Sequence, residues 1–297
     1  MTSLLALLGP TAAGKTRIAL DLAPEMGAEV VSVDSMQVYR GMDVGTAKPT
    51  MAERARVPHH LVDMVLPGEP FSVAEYQQLS REVMAELDAT KRAPMLVGGS
   101  GLYFRAIVDN LRFPPTDQAV RGRLEKQPPE ELWERLRAAD PAAASRMEPA
   151  NARRIIRALE VIEITARPFS SFRTAWDRYP GRGMLVAGLK VPAETLRRRI
   201  EDRTRGMFKG PLLDEAQALS RAGYSTALRS AAAIGYRQAL NVLDGLCTVS
   251  EAEDETVRAT MALSRRQMRW FKRDPRVNWF DATDIDRAAG QIKAYWA

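Results

Sequence analysis

The chain has 297 residues, with 45% hydrophobic and 27% charged residues and a formal net charge of +6, a balance that excludes a disordered or fibrous chain and suits one large or two modest globular domains. Its one cysteine, Cys247, cannot form an internal disulfide, and the early apolar run at residues 4–8 is far short of the roughly 20 residues that span a bilayer. A cytoplasmic location is expected, because that run also lacks the basic leader and small-residue cleavage site of a signal peptide.

Residues 3–8 read as a buried strand, 15–22 as an amphipathic helix and 29–34 as a second strand, the alternation of βα units on a parallel sheet. Ser72-Val73-Ala74-Glu75 has the spacing of a capping box and opens a helix to about Ala89, after which residues 94–97 form another short buried strand. After Asn110 the character changes. Pro114-Pro115, Pro128-Pro129, Pro141 and Pro149 punctuate helical stretches whose apolar faces carry Trp133, Leu136, Ile155, Ile156, Leu159 and Ile162. An all-helical insertion over residues 114–179 is expected. Residues 184–189 resume a strand-like run, from which the chain is expected to continue through helices to its C-terminus.

Positive charge is concentrated. Residues 151–210 hold 14 Lys/Arg against 6 Asp/Glu, a local excess of +8, so the remainder of the chain nets about −2. Clustered cations gain affinity for polyanions by releasing counterions from phosphates. An arginine-rich solvated helix face would carry the same charge without any such partner, so charge alone leaves both readings open.

The chemistry starts at Gly9-Pro-Thr-Ala-Ala-Gly14-Lys15-Thr16, which fits the GxxxxGK[ST] phosphate loop, with a strand before it and a helix after it. In that setting the loop Gly9, Pro10, Thr11, Ala12, Ala13 and Gly14 wraps a phosphate with successive backbone N–H groups, Pro10 alone having none to give, while Lys15 reaches its outer oxygens and Thr16 can hold Mg²⁺. The fold class is then α/β: a P-loop NTPase-like parallel sheet flanked by helices over residues 1–113 and 180–297, with the helical insertion at 114–179. Such a loop does not say which bond is broken, because kinases, hydrolases and diphosphate-leaving transferases share it.

The second strand ends at Asp34, and carboxyl ends of neighbouring parallel strands share one crevice, so Asp34 is expected beside the phosphates. A carboxylate there serves as a metal partner, as a general base, or merely as the cap of a turn. A second corner, Gly98-Gly99-Ser100-Gly101, permits close backbone approach at the same crevice.

In combination, these segments closely resemble the bacterial tRNA dimethylallyltransferase family. The resemblance is carried by residues 9–16, by Asp34-Ser-Met-Gln-Val-Tyr-Arg-Gly-Met-Asp-Val-Gly-Thr-Ala-Lys-Pro49, and by Pro58-His-His-Leu61. Further along it is carried by Gly98-Gly-Ser-Gly-Leu-Tyr103, Arg157-Ala-Leu-Glu-Val161, Ile234-Gly-Tyr-Arg237 and Arg266-Gln267. It runs in order across nearly the whole chain, and residues 34–49 are its most specific part. It implies transfer of a dimethylallyl group from dimethylallyl diphosphate to N6 of adenosine 37 in tRNA, with Mg²⁺ as cofactor and the phosphate loop holding a leaving diphosphate.

The family's catalytic residues fall on Asp34 as general base, Thr16, and an arginine that matches Arg203, with Arg205 the neighbouring candidate. Residues two apart on a helix point to different faces, so the two arginines cannot both approach the diphosphate in the same way. The tRNA contacts implied by position are Asp34, Ser35, Met36, Gln37, Ser100, Arg121, Arg153, Arg154, Ile155, Ile156, Arg157, Ala232, Ala233, Ile234, Gly235, Tyr236, Arg237, Arg266 and Gln267. Ser100 stands where the family has threonine, and Arg153 where it has glutamine. The insertion resembles the family's helical subdomain that clamps the anticodon stem-loop, and the chain is expected to act as a monomer.

His59 and His60 lack a third ligand at metal spacing and are expected to be structural; Cys247 is expected to be an inert small side chain. Two enzymes compete with the family reading. A small-molecule kinase accounts for the phosphate loop but leaves residues 34–49 unexplained. An adenylate isopentenyltransferase shares the chemistry but takes a free nucleotide, against which the basic helical insertion argues.

Overall fold

A computed structural model of the protein describes residues 4–109, 111–173, 178–180, 183–230 and 233–297. In chain order the elements are β1 (Leu4–Leu8), α1 (Lys15–Glu25), β2 (Ala28–Val33), α2 (Met51–Arg56), β3 (His59–His60), α3 (Val73–Ala89), β4 (Ala93–Gly98) and α4 (Gly101–Val108). There follow α5 (Gln118–Leu124), α6 (Pro129–Ala139), α7 (Pro141–Ala144), α8 (Ala152–Thr165), β5 (Met184–Lys190) and α9 (Ala193–Phe208). The chain continues with α10 (Pro211–Leu219), α11 (Ser225–Ser230), α12 (Tyr236–Leu243), α13 (Val249–Phe271), β6 (Val277–Asp281) and α14 (Ile285–Trp296). They fall into two compact units, Met1–Val108 with Gly181–Ala297, and Asp109–Pro180.

The first unit is built on a six-stranded sheet of order β3-β2-β4-β1-β5-β6, with every pairing parallel. A parallel sheet is covered on both faces, which is why β1 reads as an unbroken aliphatic run and its Ala6, Leu7 and Leu8 are fully buried. Register aligns Leu8 with Gly98 and Gly188, and Val33 with Gly98. The carboxyl ends of β1, β2 and β4 therefore finish level, β5 runs two residues further, and the loops that follow them open on one edge.

Two differences from the sequence reading have plain causes. The helices foreseen after residue 189 are interrupted by β6, an edge strand that pairs Val186 with Val277 through Lys190 with Asp281. Helix α1 runs three residues beyond Leu22, through Pro24. Pro24 cannot supply the N–H that would bond to the Leu20 carbonyl; Arg56 Nη2 donates to that oxygen instead at 2.5 Å. The capping box at Ser72 forms, with Glu75 N donating to Ser72 Oγ at 3.1 Å and Ser72 N to Glu75 Oε2 at 2.7 Å.

The second unit packs Leu124, Leu132, Leu136, Ala143, Ala144, Ile155, Ala158 and Leu159 of α5 to α8 into its own core. Beside that core lies a buried carboxylate, Glu160. Its Oε2 accepts from Arg121 Nη2 at 2.9 Å and Arg157 Nη1 at 2.8 Å, and its Oε1 from Asp117 N at 2.9 Å. Burial alone would raise the Glu160 carboxyl, but the Arg157 and Arg121 guanidinium groups and the Asp117 amide outweigh it and hold it below the ordinary glutamate value. A group so held stabilises the fold fully above its ordinary value, and that contribution drains as pH falls through the lower value of the folded state. Glu160→Ala leaves two arginines without their shared partner and is expected to destabilise this unit by about 3 kcal/mol at neutral pH. In thermal unfolding followed against pH, the wild-type advantage over the variant should shrink only on the acid side of 4.5.

Candidate active site

Residues 9–14 turn sharply between β1 and α1. Gly14 sits at φ +95°, and a Cβ there would stand 2.9 Å from Ile285 Cδ1, so the loop closes only with glycine at this point. Lys15 Nζ donates to the Gly9 carbonyl at 3.0 Å and the Pro10 carbonyl at 2.7 Å, which holds the ammonium within the loop. Burial pushes this ammonium down to about 8; the negative charge of Asp34 opposes the shift and the positive charge of Arg203 adds to it.

The loop forms one wall of a cavity of about 320 Å³ whose lining includes Thr11, Lys15, Thr16, Asp34, Gln37, Gly98, Gly99, Arg199, Arg203 and Gln267. The phosphate loop, Asp34 and Arg203, expected from the sequence to share one crevice, line this one cavity. Asp34 follows β2, and its Oδ1 accepts the N–H groups of Met36 at 2.8 Å and Gln37 at 3.4 Å. That local turn fixes the carboxylate, while Oδ2 takes no hydrogen bond among the described residues.

Arg203 comes from α9. Its Nη2 donates to Thr11 Oγ1 at 3.0 Å, and its Nε is buried with no partner. Burial lowers its pKa against the opposing pull of Asp34. Arg205 points elsewhere and pairs with Asp202 at 3.1 Å on an exposed surface. Arg199, one helical turn before Arg203, lines the cavity too; sequence reading missed it, although the i, i+4 spacing puts it on the same face.

The segment from 34 to 49 is held by groups distant in sequence. Glu215 of α10 accepts the N–H groups of Asp43, Val44 and Gly45 at 2.9 to 3.3 Å and the Tyr236 hydroxyl at 2.5 Å. Burial, followed by the Glu215 charge, raises the Tyr236 phenol well above its ordinary value, so it stays a neutral donor. Lys48, fully buried, bridges Asp43 and Asp63 at 2.6 Å each, and Arg54 reaches the other oxygen of Asp63 at 2.5 Å. Burial by itself would raise the Asp63 carboxyl, yet the two cations hold it below its usual range.

Several residues implied as tRNA contacts have structural duties. Gln37 Oε1 accepts from Ser32 Oγ at 2.8 Å, and its Nε2 bonds to the carbonyls of Thr46 and Ala47 at 3.5 Å, so its amide is engaged within the protein. Ser35 and Met36 are half-buried, and Met36 packs against the cluster around Met42 and Tyr236. Ser100 caps α4, its Oγ accepting Tyr103 N at 3.4 Å. Gln267 Oε1 accepts Thr11 N at 2.9 Å, and a Cβ on Gly99 would stand 2.3 Å from Gln267 Nε2. The glycine corner is therefore shaped to admit Gln267, which braces the phosphate loop.

Arg266 is exposed, Ala233 and Tyr236 are buried, Ile234 is half-buried, and Gly235 N donates to Gln238 Oε1 at 3.0 Å. Arg237 pairs with Glu255 at 2.6 Å. Ala232 lies outside the described residues. Within the second unit Arg153 and Arg154 are exposed, Ile156 is half-buried, and Arg121 and Arg157 are bound to Glu160. The Ile155 side chain is fully buried in the core of this unit.

His59 and His60 form β3; His59 Nδ1 bonds to the Val57 carbonyl and His60 Nε2 to Glu29 Oε2, both at 2.7 Å. Among the described residues no cluster of three or more His, Cys, Asp or Glu could cage a metal, and no helix is long and apolar enough to cross a membrane.

Comparison with known proteins adds the chemistry of relatives. The IPP transferase family matches residues 37–274. The chain is 49% identical to the tRNA dimethylallyltransferase of Streptomyces coelicolor over 287 residues, covering 95% of this chain and 91% of the relative. It resembles the crystal structure of a tRNA isopentenylpyrophosphate transferase from Bacillus halodurans at a TM-score of 0.70 and 37% identity, over 99% of this chain and 95% of that one. A eukaryotic dimethylallyltransferase acting on tRNA shares the fold at a TM-score of 0.79 and 22% identity, over 98% of this chain and 77% of its own.

The state of Lys15 makes anion binding pH-dependent. The ammonium is charged below about 8 and loses its charge above, so affinity for inorganic diphosphate should fall as pH rises through that value. In calorimetric titrations across this range the falling limb is expected in the wild type and absent from Lys15→Met, whose affinity is lower throughout.

Proposed function

The chain belongs to the IPP transferase family, and from that premise we propose that it transfers a dimethylallyl group from dimethylallyl diphosphate to N6 of adenosine 37 in tRNA. The observation that carries the proposal is the shared cavity, in which the Asp34 carboxylate lines the same space as Lys15, Thr16 and Arg203. A cation-rich phosphate cradle alone would suit many phosphate esters. A carboxylate facing that cradle suits a reaction in which an acceptor must lose a proton as diphosphate leaves.

Lys15, Arg203 and the N–H groups of Ala12, Gly14, Lys15 and Thr16 bind the diphosphate and stabilise the charge that grows on it as the allylic C1–O bond breaks and its electron pair passes to the leaving oxygen. The N6 lone pair of adenosine forms the new C–N bond to C1. Asp34 accepts the proton that N6 sheds, which matters because that lone pair is otherwise delocalised into the purine ring. The target base must leave its stack to reach this depth.

Mg²⁺ fits the donor set. The Thr16 hydroxyl lines the cavity as a hard oxygen, and the lack of a protein cage among the described residues suits an ion that binds through one or two protein oxygens, water and substrate phosphates. Bound by Thr16, Mg²⁺ supplies further neutralisation of the diphosphate charge.

The helical insertion at 114–179 is assigned to the anticodon stem-loop, with the exposed Arg153 and Arg154 as phosphate contacts. Residues 34–37, Ser100, Arg266 and Gln267 are assigned to the acceptor side. Asp34→Asn keeps the turn that holds the side chain but removes the base. It should lower the transfer rate by about 10²- to 10⁴-fold while tRNA affinity stays within about threefold, as such a change does not touch phosphate contacts. The assay uses labelled dimethylallyl diphosphate, Mg²⁺ and unmodified tRNA, with AMP as a competing acceptor. Label mapped to adenosine 37 after nuclease digestion supports the proposal; label on AMP moves the chain to free nucleotides.

A further inference from the structure

The guanidinium of Arg199 does two things at once. Its Nη2 donates to the Ala282 carbonyl at 3.0 Å and the Thr283 carbonyl at 2.8 Å, just beyond β6. Its Nη1 is buried and has no hydrogen-bond partner, and the side chain lines the cavity with Lys15, Thr16 and Arg203. A buried guanidinium nitrogen left unpaired forfeits the hydrogen bonds that water would give it, a cost of the kind that persists where a ligand satisfies the donor. The neighbouring Nε of Arg203 is in the same condition. Two arginines one turn apart on α9 thus each hold an unsatisfied donor at the phosphate cavity.

The corner that Arg199 holds is itself tied to the phosphate loop. Ile285 packs on Gly14, within 2.9 Å of where a Cβ would lie, and Asp286 Oδ1 accepts from Arg17 Nη2 at 2.7 Å. One nitrogen therefore anchors Arg199 to the segment that backs the loop, and the anchor orients the rest of the planar group.

We propose that Arg199 is a second arginine of the diphosphate site, anchored through Nη2 to the 282–283 carbonyls and donating from Nη1 to the diphosphate. The inference rests on the diphosphate reading of the cavity. Arg199 thereby shares with Arg203 the charge that develops on the leaving group, while the acceptor side of the reaction does not depend on it.

The test titrates inorganic diphosphate, in excess Mg²⁺, into the full-length wild type and the variants Arg199→Gln and Arg199→Lys. Gln can still donate to a carbonyl but carries no charge; Lys keeps the charge. Arg199→Gln should bind diphosphate about tenfold or more weakly, and Arg199→Lys, which keeps the charge but not the planar fork, should recover part of that loss. KM for dimethylallyl diphosphate should rise with the Gln variant, and KM for tRNA should stay unchanged. Diphosphate binding within about twofold of wild type in Arg199→Gln, or equal losses in Gln and Lys, would make Arg199 a strut alone and overturn the inference. In the wild-type chain, which needs no variant to fold beyond Arg199→Lys for assignment, the Arg199 guanidinium NMR signal should shift on adding diphosphate; an unmoved signal also overturns it. Failure of the wild type to bind diphosphate at all would instead remove the reading of the cavity on which the inference stands.

Discussion

Positive charge in excess of negative charge, held in a confined space, is the constraint on which this structure turns. Among the described residues, Lys15 and Arg203 line a cavity with a single carboxylate, Asp34, and the burial of both cations lowers their pKa values. Proteins neutralise or pair buried charge unless a ligand does so. A site with this imbalance is prepared for a polyanion, and the electrostatic strain of holding the cations apart from water becomes stabilisation when that polyanion gains charge in a transition state.

Such a site works only if the carboxylate is kept in place without being drawn into an ion pair with its neighbours. The local turn at Met36 and Gln37 takes one oxygen of Asp34, and the segment that follows is pinned by Glu215, Tyr236, Lys48 and Asp63. The same logic holds the phosphate loop, where Gln267 meets the Thr11 amide and Ile285 meets Gly14. Four remote helices, α10, α12, α13 and α14, thus hold two loops whose sequences carry the chemistry, and a rigid frame of this kind is what preorganised electrostatics needs.

The sequence made the local parts of this arrangement readable. An aliphatic run before Gly9 and a capping box at Ser72 are patterns of a few residues, and their physics is contained within those residues. The edge strand β6 escaped notice because Val277–Asp281 buries only part of its length and so lacks the unbroken apolar signature of β1. Glu215 was invisible for another reason: the amides it accepts lie some 170 residues earlier in the chain, and no pattern of spacing encodes such a partner. Arg199 stood in a run of three arginines; its i, i+4 spacing from Arg203 was the signal available, and its place on the cavity wall bears it out against Arg197 and Arg198. Ile155 shows the reverse, a residue carried into a binding stretch by position whose side chain belongs to the core.

In the proposed reaction the phosphate cradle parts with intact diphosphate as the acceptor nitrogen is alkylated. Counting diphosphate released against modified adenosine formed, in one reaction containing dimethylallyl diphosphate, tRNA and ATP, tests it most directly. One diphosphate per modified adenosine, with ATP unconsumed, is the predicted result. Orthophosphate or ADP formed from ATP, with the RNA left unmodified, would contradict it.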